Sequence, residues 1–173
     1  FSQDHLDYHK NMKNYLNAKL ILFSKLLKKK SHIITDNEIP EFLKLKKIAK
    51  KNNLNLIIIG KKNSTIQLKT VNPNSNYQNI IFTYKGKNYA VKIPLIGLFQ
   101  IKNLFMSIIA AKLSDLEIKQ ILHAAENIKE VNGRLQLIKT TPNKTKIFVD
   151  YAHTPDALET ILKTLKEHYK IKP

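Results

Sequence analysis

Between Asn11 and Lys30, Met12, Tyr15, Leu16, Leu22, Phe23 and Leu26 recur at three- and four-residue steps, which predicts a helix with one apolar stripe. Ser31–Thr35 predicts a strand ending at Asp36-Asn37. Glu38–Lys51 predicts an amphipathic helix with a lysine-rich outer face, and Leu54–Gly60 a buried strand. Thr65–Val71, Asn79–Tyr84 and Asn88–Ile93 alternate apolar with polar, with turn residues at Asn72-Pro73-Asn74 and Lys85-Gly86-Lys87. These three stretches predict a small antiparallel sheet set into the α/β pattern. Gly97 opens a helix running to Lys112, and Ser114 is placed as the cap of another, Asp115 to Ile128. Glu130–Gln136 reads as a turn leading into a strand. Lys146–Val149 predicts a short buried strand, and Pro155 opens a helix with stripe Leu158, Ile161, Leu162 and Leu165 and Thr154 at its N-cap. The boundary between two units is placed at 132/133.

Composition changes this picture little. With 43% hydrophobic residues in 173, a packed core is expected, and without cysteine there is no disulfide framework or thiolate metal site. No stretch is long and apolar enough to span a membrane, and the start carries no signal-peptide pattern, so a cytoplasmic protein is expected. The start also lacks a cap or Met and reads as part of something longer. The net charge of +17 invites a nucleic-acid partner, yet of 30 basic residues only Arg134 is arginine. Sequence readers use arginine forks and stacked aromatics. The spread lysines instead match the AT-rich codons that also favour Asn and Ile, so no specific nucleic-acid partner is expected.

Chemistry concentrates in three places. Asp150-Tyr151-Ala152-His153-Thr154-Pro155-Asp156-Ala157-Leu158 follows a strand directly and runs into a helix. It reads either as an ordinary capped turn or as polar groups at the carboxyl edge of a sheet, where α/β folds bind ligands and a helix N-terminus favours phosphate. Arg134, kept in a chain that otherwise uses lysine, points to a need for guanidinium geometry such as phosphate contact. Lys19 falls within the first apolar stripe. It reads either as a snorkelling lysine or as one whose partial burial favours a neutral amine. Such an amine adds carbon dioxide to give a carbamate, an oxygen ligand suited to Mg²⁺. At the start, Asp4, His5, Asp7 and His9 crowd together; a polar loop and a metal site are both open, and the latter would make a metal hydrolase an alternative.

Asp4-His5-Leu6-Asp7-Tyr8-His9, Tyr15-Leu16-Asn17-Ala18-Lys19, Gly133-Arg134 and Asp150 through Leu158 together resemble the Mur ligases, the ATP-dependent amide-bond-forming enzymes of peptidoglycan synthesis. The type that adds the third residue of the stem peptide is the most similar. Another Mur enzyme or a folylpolyglutamate synthase-type ligase is the alternative, and a basic nucleic-acid-binding domain a more distant one. The resemblance implies an α/β fold, with residues 1–132 the later part of a P-loop-type central ATPase domain and 133–173 the start of a Rossmann-like C-terminal domain. It implies ATP and Mg²⁺ as cofactors, and UDP-MurNAc-dipeptide plus meso-diaminopimelate or L-lysine as substrates, with the AT-biased composition inclining the reading to meso-diaminopimelate. A monomer with no membrane partner is expected.

By the same resemblance, Lys19 would be the carboxylated lysine, with His5 a Mg²⁺ ligand beside it. Asn103 would lie at the adenine, Arg134 at the phosphates, Asp150 at the ribose hydroxyls and His153 near the nucleotide. The chain departs from the family pattern at Gln100, Ile34 and Gln136, where an asparagine, an asparagine and an acid are usual. The phosphate-binding glycine loop, the UDP-binding domain and the Asp-Asn-Pro-Arg stretch are not in this sequence. Residues 1–173 alone are therefore expected to be inactive.

Overall fold

The computed structural model describes residues 6–170. Strands β1 (His32–Asp36) and β2 (Asn55–Gly60) run parallel, paired from His32↔Asn55 to Asp36↔Ile59 and linked by helix α3 (Phe42–Lys51). Strand β3 (Ile66–Pro73) joins the edge of β2 through only two pairs, Ile59↔Ile66 and Gly60↔Gln67. Parallel strands normally need a long crossover; this slight overlap lets a short loop suffice. Strands β4 (Gln78–Tyr84) and β5 (Lys87–Ile93) continue antiparallel. Lys85 and Gly86 both have positive φ (49° and 75°), the pairing that a two-residue hairpin turn requires. The three alternating stretches are thus antiparallel as expected, and they extend the parallel pair into one five-stranded sheet, β1-β2-β3-β4-β5.

Alternation decides which face is covered. Gln78, Ile80, Phe82 and Tyr84 of β4 point inward, against helix α4 (Leu98–Leu113), with helix α5 (Ile118–Glu126) beside it. Phe82 and Phe105 meet at 5.1 Å between ring centroids, within a core that includes Ile59, Ile66, Ile93 and Ile108. A fully buried side chain of this kind contributes about 1.5–3 kcal/mol.

Several boundaries moved, each for a local reason. The first long helix splits into α2 (Met12–Ile21), capped by Asn11, and a wider π-type turn over Leu22–Leu26. It ends there because Asn52 Nδ2 donates to the carbonyls of Phe23 and Ser24 and holds the chain off course. A short helix α1 (Leu6–His9) precedes it. Helix α3 begins at Phe42 rather than Glu38, since Asp36 Oδ1 accepts from the Glu38 N–H and turns the chain at the strand end. Ser114 closes α4, its hydroxyl donating to the Ala110 carbonyl, and Gln120 Oε1 accepts the Glu117 N–H at the start of α5.

The last unit is a ribbon of β6 (Gln136–Thr140) and β7 (Lys146–Val149) followed by helix α6 (Pro155–His168). Here β7 is not the buried strand the apolar run predicted. Ile147 and Val149 stay exposed, because α6 faces one side of the ribbon, through Phe148, Leu165 and Tyr169.

Candidate functional site

A cavity of about 600 Å³ opens where the start of α4, the linker before β6 and the β7–α6 turn meet; Phe99, Arg134, Asp150, Tyr151, His153 and Thr154 are among its walls. Its geometry is fixed mainly by backbone bonds to one carboxylate. Asp150 Oδ2 accepts from the Leu135 N–H at 2.6 Å and Oδ1 from the Ala152 N–H at 2.7 Å, while the Tyr151 N–H donates to the Gly133 carbonyl at 2.8 Å. Linker and turn are thereby tied across 15 residues of sequence. Leu135 adopts a left-handed φ of 49°, a strained state for leucine. Its burial and the bond to Asp150 hold it there.

Arg134, exposed between these ties, carries its guanidinium over the Tyr151 ring at 5.8 Å. His153 Nδ1 lies 2.9 Å from the Tyr151 carbonyl. A carbonyl only accepts, so Nδ1 bears the proton and a neutral ring keeps Nε2 as its acceptor. Each oxygen of Asp150 accepts one N–H and retains a lone pair for a hydroxyl donor. A fixed carboxylate, a guanidinium and an exposed aromatic ring together form a donor and acceptor set that fits the hydroxyls, phosphates and base of a nucleotide.

The start of α6 is a poorer phosphate seat than its position in sequence implies. Thr154 Oγ1 takes the Ala157 N–H, Pro155 has none to offer, and Asp156 adds negative charge in the first turn. Arg134 is the cationic side chain on the cavity wall. Thr154 does cap this helix, as the sequence predicts.

Two of the departures from the family pattern, Gln100 and Gln136, bond to the linker beside the cavity. Gln100 is buried and its Nε2 reaches the Arg134 carbonyl at 3.5 Å. Gln136 accepts from the Gly133 N–H and donates to Asn132 Oδ1. Ile34 packs against the main core. Gly97, at φ 96°, opens α4 with a conformation suited to glycine, and any Cβ there would collide with Thr164 of α6.

The remaining predicted residues lie apart from this cluster. Asn103 is exposed one turn along α4 from Phe99, outside the lining of the cavity. Lys19 is exposed, its ammonium 4.7 Å from the centre of the Tyr15 ring, so of its two readings partial burial is overturned. The buried positions of α2 are Tyr15, which belongs to the predicted stripe, and Leu20, which does not, so the packing face turns from the Lys19 side toward Leu20. His5 lies outside the described residues. Among the described residues no group of three His, Asp or Glu side chains could hold a metal ion.

Two polar clusters had no warning in the sequence. Lys102 of α4 bridges Asp36 Oδ2 at 2.6 Å and Glu38 Oε2 at 2.7 Å. Burial works against its charge, but the bonds to the two carboxylates outweigh that and hold the ammonium above the usual lysine pKa. At the opposite end of α6, His168 Nε2 donates to the Asn74 carbonyl at 2.6 Å and the Tyr169 hydroxyl to the Ser75 carbonyl at 2.9 Å. Lys146 Nζ adds a bond to Asn76 Oδ1. Together these seat the last unit on the β3–β4 turn. Both clusters join residues more than 60 positions apart, beyond the reach of any local pattern.

The Mur ligase middle domain model matches residues 1–111 and that of the Mur ligase glutamate ligase domain residues 133–173. The chain belongs to the Mur ligase family. Within it, the chain is 38% identical over 166 residues to the UDP-N-acetylmuramoyl-L-alanyl-D-glutamate--2,6-diaminopimelate ligase of Rickettsia bellii (strain RML369-C), covering 96% of this chain and 34% of that protein. It spans about a third of the length of the curated relatives it matches. A solved structure of a ligase with that same name superposes with a TM-score of 0.76 at 26% identity, over 96% of this chain and 34% of the other. MurF from Acinetobacter baumannii shares the fold, with a TM-score of 0.81 at 16% identity over 95% of this chain and 35% of that one. No helix among the described residues is long and apolar enough to cross a membrane.

Proposed function

We propose that the full-length protein is an ATP-dependent ligase that adds meso-diaminopimelate to UDP-MurNAc-L-Ala-D-Glu in peptidoglycan synthesis, as a monomer in the cytoplasm. The observation that carries this reading is the 38% identity, over 96% of the chain, to a relative named for that reaction. The cavity at Arg134, Asp150 and Tyr151 supports it, since its groups match what a nucleotide presents. Residues 1–132 belong to the central ATP-binding domain and 133–173 to the C-terminal domain, a division supported by the two separate family matches.

Asp150 accepts hydrogen bonds from the ribose hydroxyls, Arg134 holds the phosphates, and Asn103 contacts the adenine. His153 stands beside the nucleotide with its ring fixed by the Tyr151 carbonyl. The γ-phosphoryl group passes to the substrate carboxylate, giving an acyl phosphate and releasing ADP; the amine of the incoming amino acid attacks its carbonyl carbon and loses a proton, and phosphate leaves as the amide forms. The contribution of Arg134 is electrostatic, opposing the charge of the phosphates. His5 and a carbamate on Lys19 would hold Mg²⁺, which would supply positive charge near the phosphates.

Phosphate release by the full-length protein tests this, with ATP, Mg²⁺ and UDP-MurNAc-dipeptide and either meso-diaminopimelate or L-lysine added. The expected result is release that requires meso-diaminopimelate and is lost in Lys19→Ala whatever the bicarbonate concentration. A requirement for L-lysine overturns the choice of amino acid. A folded, ATP-binding protein that releases phosphate with neither amino acid overturns the ligase assignment.

A further inference from the structure

Lys102 lies in the second turn of α4 between Ile101, which is fully buried in the core, and Asn103, which faces solvent. Its ammonium does not extend into water, as a lysine beside an exposed position ordinarily does. It turns back to the carboxyl end of β1 and contacts two carboxylates within 2.7 Å. The anchor it meets is rigid. The Asp36 side chain is 6% exposed, and its second oxygen is occupied by the Glu38 N–H at 2.8 Å.

The start of α4 needs such an anchor. Its N-cap is Gly97, which has no side chain to satisfy the first N–H groups, and no acidic residue stands in the first turn. The same two turns carry Phe99 on the cavity wall, Gln100 against the Arg134 carbonyl, and Asn103. Gln100 ties the helix to the linker at a long 3.5 Å, whereas Lys102 ties it to the central sheet by two short charged bonds.

We propose that Lys102 is a positioning residue for the nucleotide base: the Asp36–Lys102–Glu38 bridge fixes the rotation and height of α4 on the sheet, and so the placement of Asn103. This rests on the reading of Asn103 as the adenine contact. Lys102 touches no substrate. Its influence passes to the adjacent residue of α4, and a displacement of an ångström at Asn103 is enough to lose the directional bonds that an amide makes to adenine.

The test is calorimetric titration of the full-length protein with ATP, ITP and inorganic tripolyphosphate. ITP carries a carbonyl where ATP carries the amine, so the preference between them reports on the amide. Lys102→Met is expected to weaken ATP about tenfold, in the range seen when outer-shell partners are removed. It should narrow the preference for ATP over ITP and leave tripolyphosphate binding unchanged. Asp36→Asn should reproduce this pattern, and Lys102→Arg, whose fork can span both carboxylates, should restore it.

Unchanged ATP affinity in a folded Lys102→Met protein overturns the proposal. So does equal weakening of ATP and tripolyphosphate, which marks a general loss of structure. Should Lys102→Met fail to fold, Glu38→Gln keeps the Asp36 bond, and a loss of ATP affinity of about twofold, confined to the base, is then the supporting result. No loss is the opposing one. An unaltered protein that binds tripolyphosphate but does not distinguish ATP from ITP overturns the adenine reading itself, and the positioning role with it.

Discussion

The five-stranded sheet with α4 and α5 and the β6–β7–α6 unit are built on different principles. In the first, Phe82, Phe105, Ile59, Ile66 and Ile93 are shut away from water, and the elements are held by apolar area. In the second, Ile138, Ile147, Val149, Leu158 and Leu162 all remain exposed, and His168, with Leu135 just before β6, is buried. Polar bonds define it: Asp150 to the linker, Thr154 to α6, and His168, Tyr169 and Lys146 to the turn at 74–76. The cavity lined by Arg134, Asp150 and Tyr151 lies where the two units meet. One wall comes from the start of α4, which packs on the sheet, and the other from the turn that Asp150 ties to the linker.

The strongest contrast should come from matched truncations. Phe105→Ala is expected to destabilise the protein by about 3–5 kcal/mol in urea unfolding, because it empties a space inside the core. Phe148→Ala, half-buried between ribbon and helix, should cost roughly 1 kcal/mol. Comparable losses would erase the distinction drawn here.

A smaller effect is expected at the joint. Asp150→Ala leaves the Leu135 and Ala152 N–H groups without their acceptor, at roughly 1–3 kcal/mol of local stability. Hydrogen exchange should show faster opening at those two amides while the amides of β4 keep their protection. Spread of the effect into β4 would mean that the two units open as one.

The mildest test is pH. Burial, with the neighbouring Lys146 ammonium, pushes the His168 pKa below the ordinary histidine value, although its bond to the Asn74 carbonyl works in the opposite direction. Glu167 on α6 and Tyr169, its C-cap, are its other titratable neighbours in sequence. An unfolded or detached segment therefore takes up the proton more readily than the seated one. The contribution of His168 is complete above about pH 6.5 and declines as the pH falls from there. Melting temperatures measured from pH 8 to 5.5 should show this decline in the unaltered protein and a shallower slope in His168→Gln. Equal slopes would assign the pH response to other groups.

The periodic stretches were legible in sequence because each rests on local rules. The alternation in β4 and β5, the Lys85-Gly86 turn and the Thr154-Pro155 helix start all act within a few residues. Where two rules competed, the sequence misled. Ser114 is a good cap by type, but the end of α4 claims its hydroxyl. The run Lys146–Val149 is apolar enough for a buried strand, yet its burial depends on what packs against it. Lys19 was placed on a stripe whose period is helical, while the packing face of α2 is set by its neighbours rather than by its own period.

For the site, the sequence by itself marked Arg134, Asp150 and His153 as residues of the same chemistry, and the fold brought all three to one cavity. Tertiary structure alone decided how that cavity is held. It gave Gln100 and Gln136 bonds to the linker, bound Asp150 to Leu135 and Ala152, set Lys102 on Asp36, and seated His168 on Asn74. The reason is physical. A side chain's chemistry and the helix or strand that carries it follow from covalent structure and near neighbours, whereas its partner is whatever polar group the packed core delivers to within 3 Å.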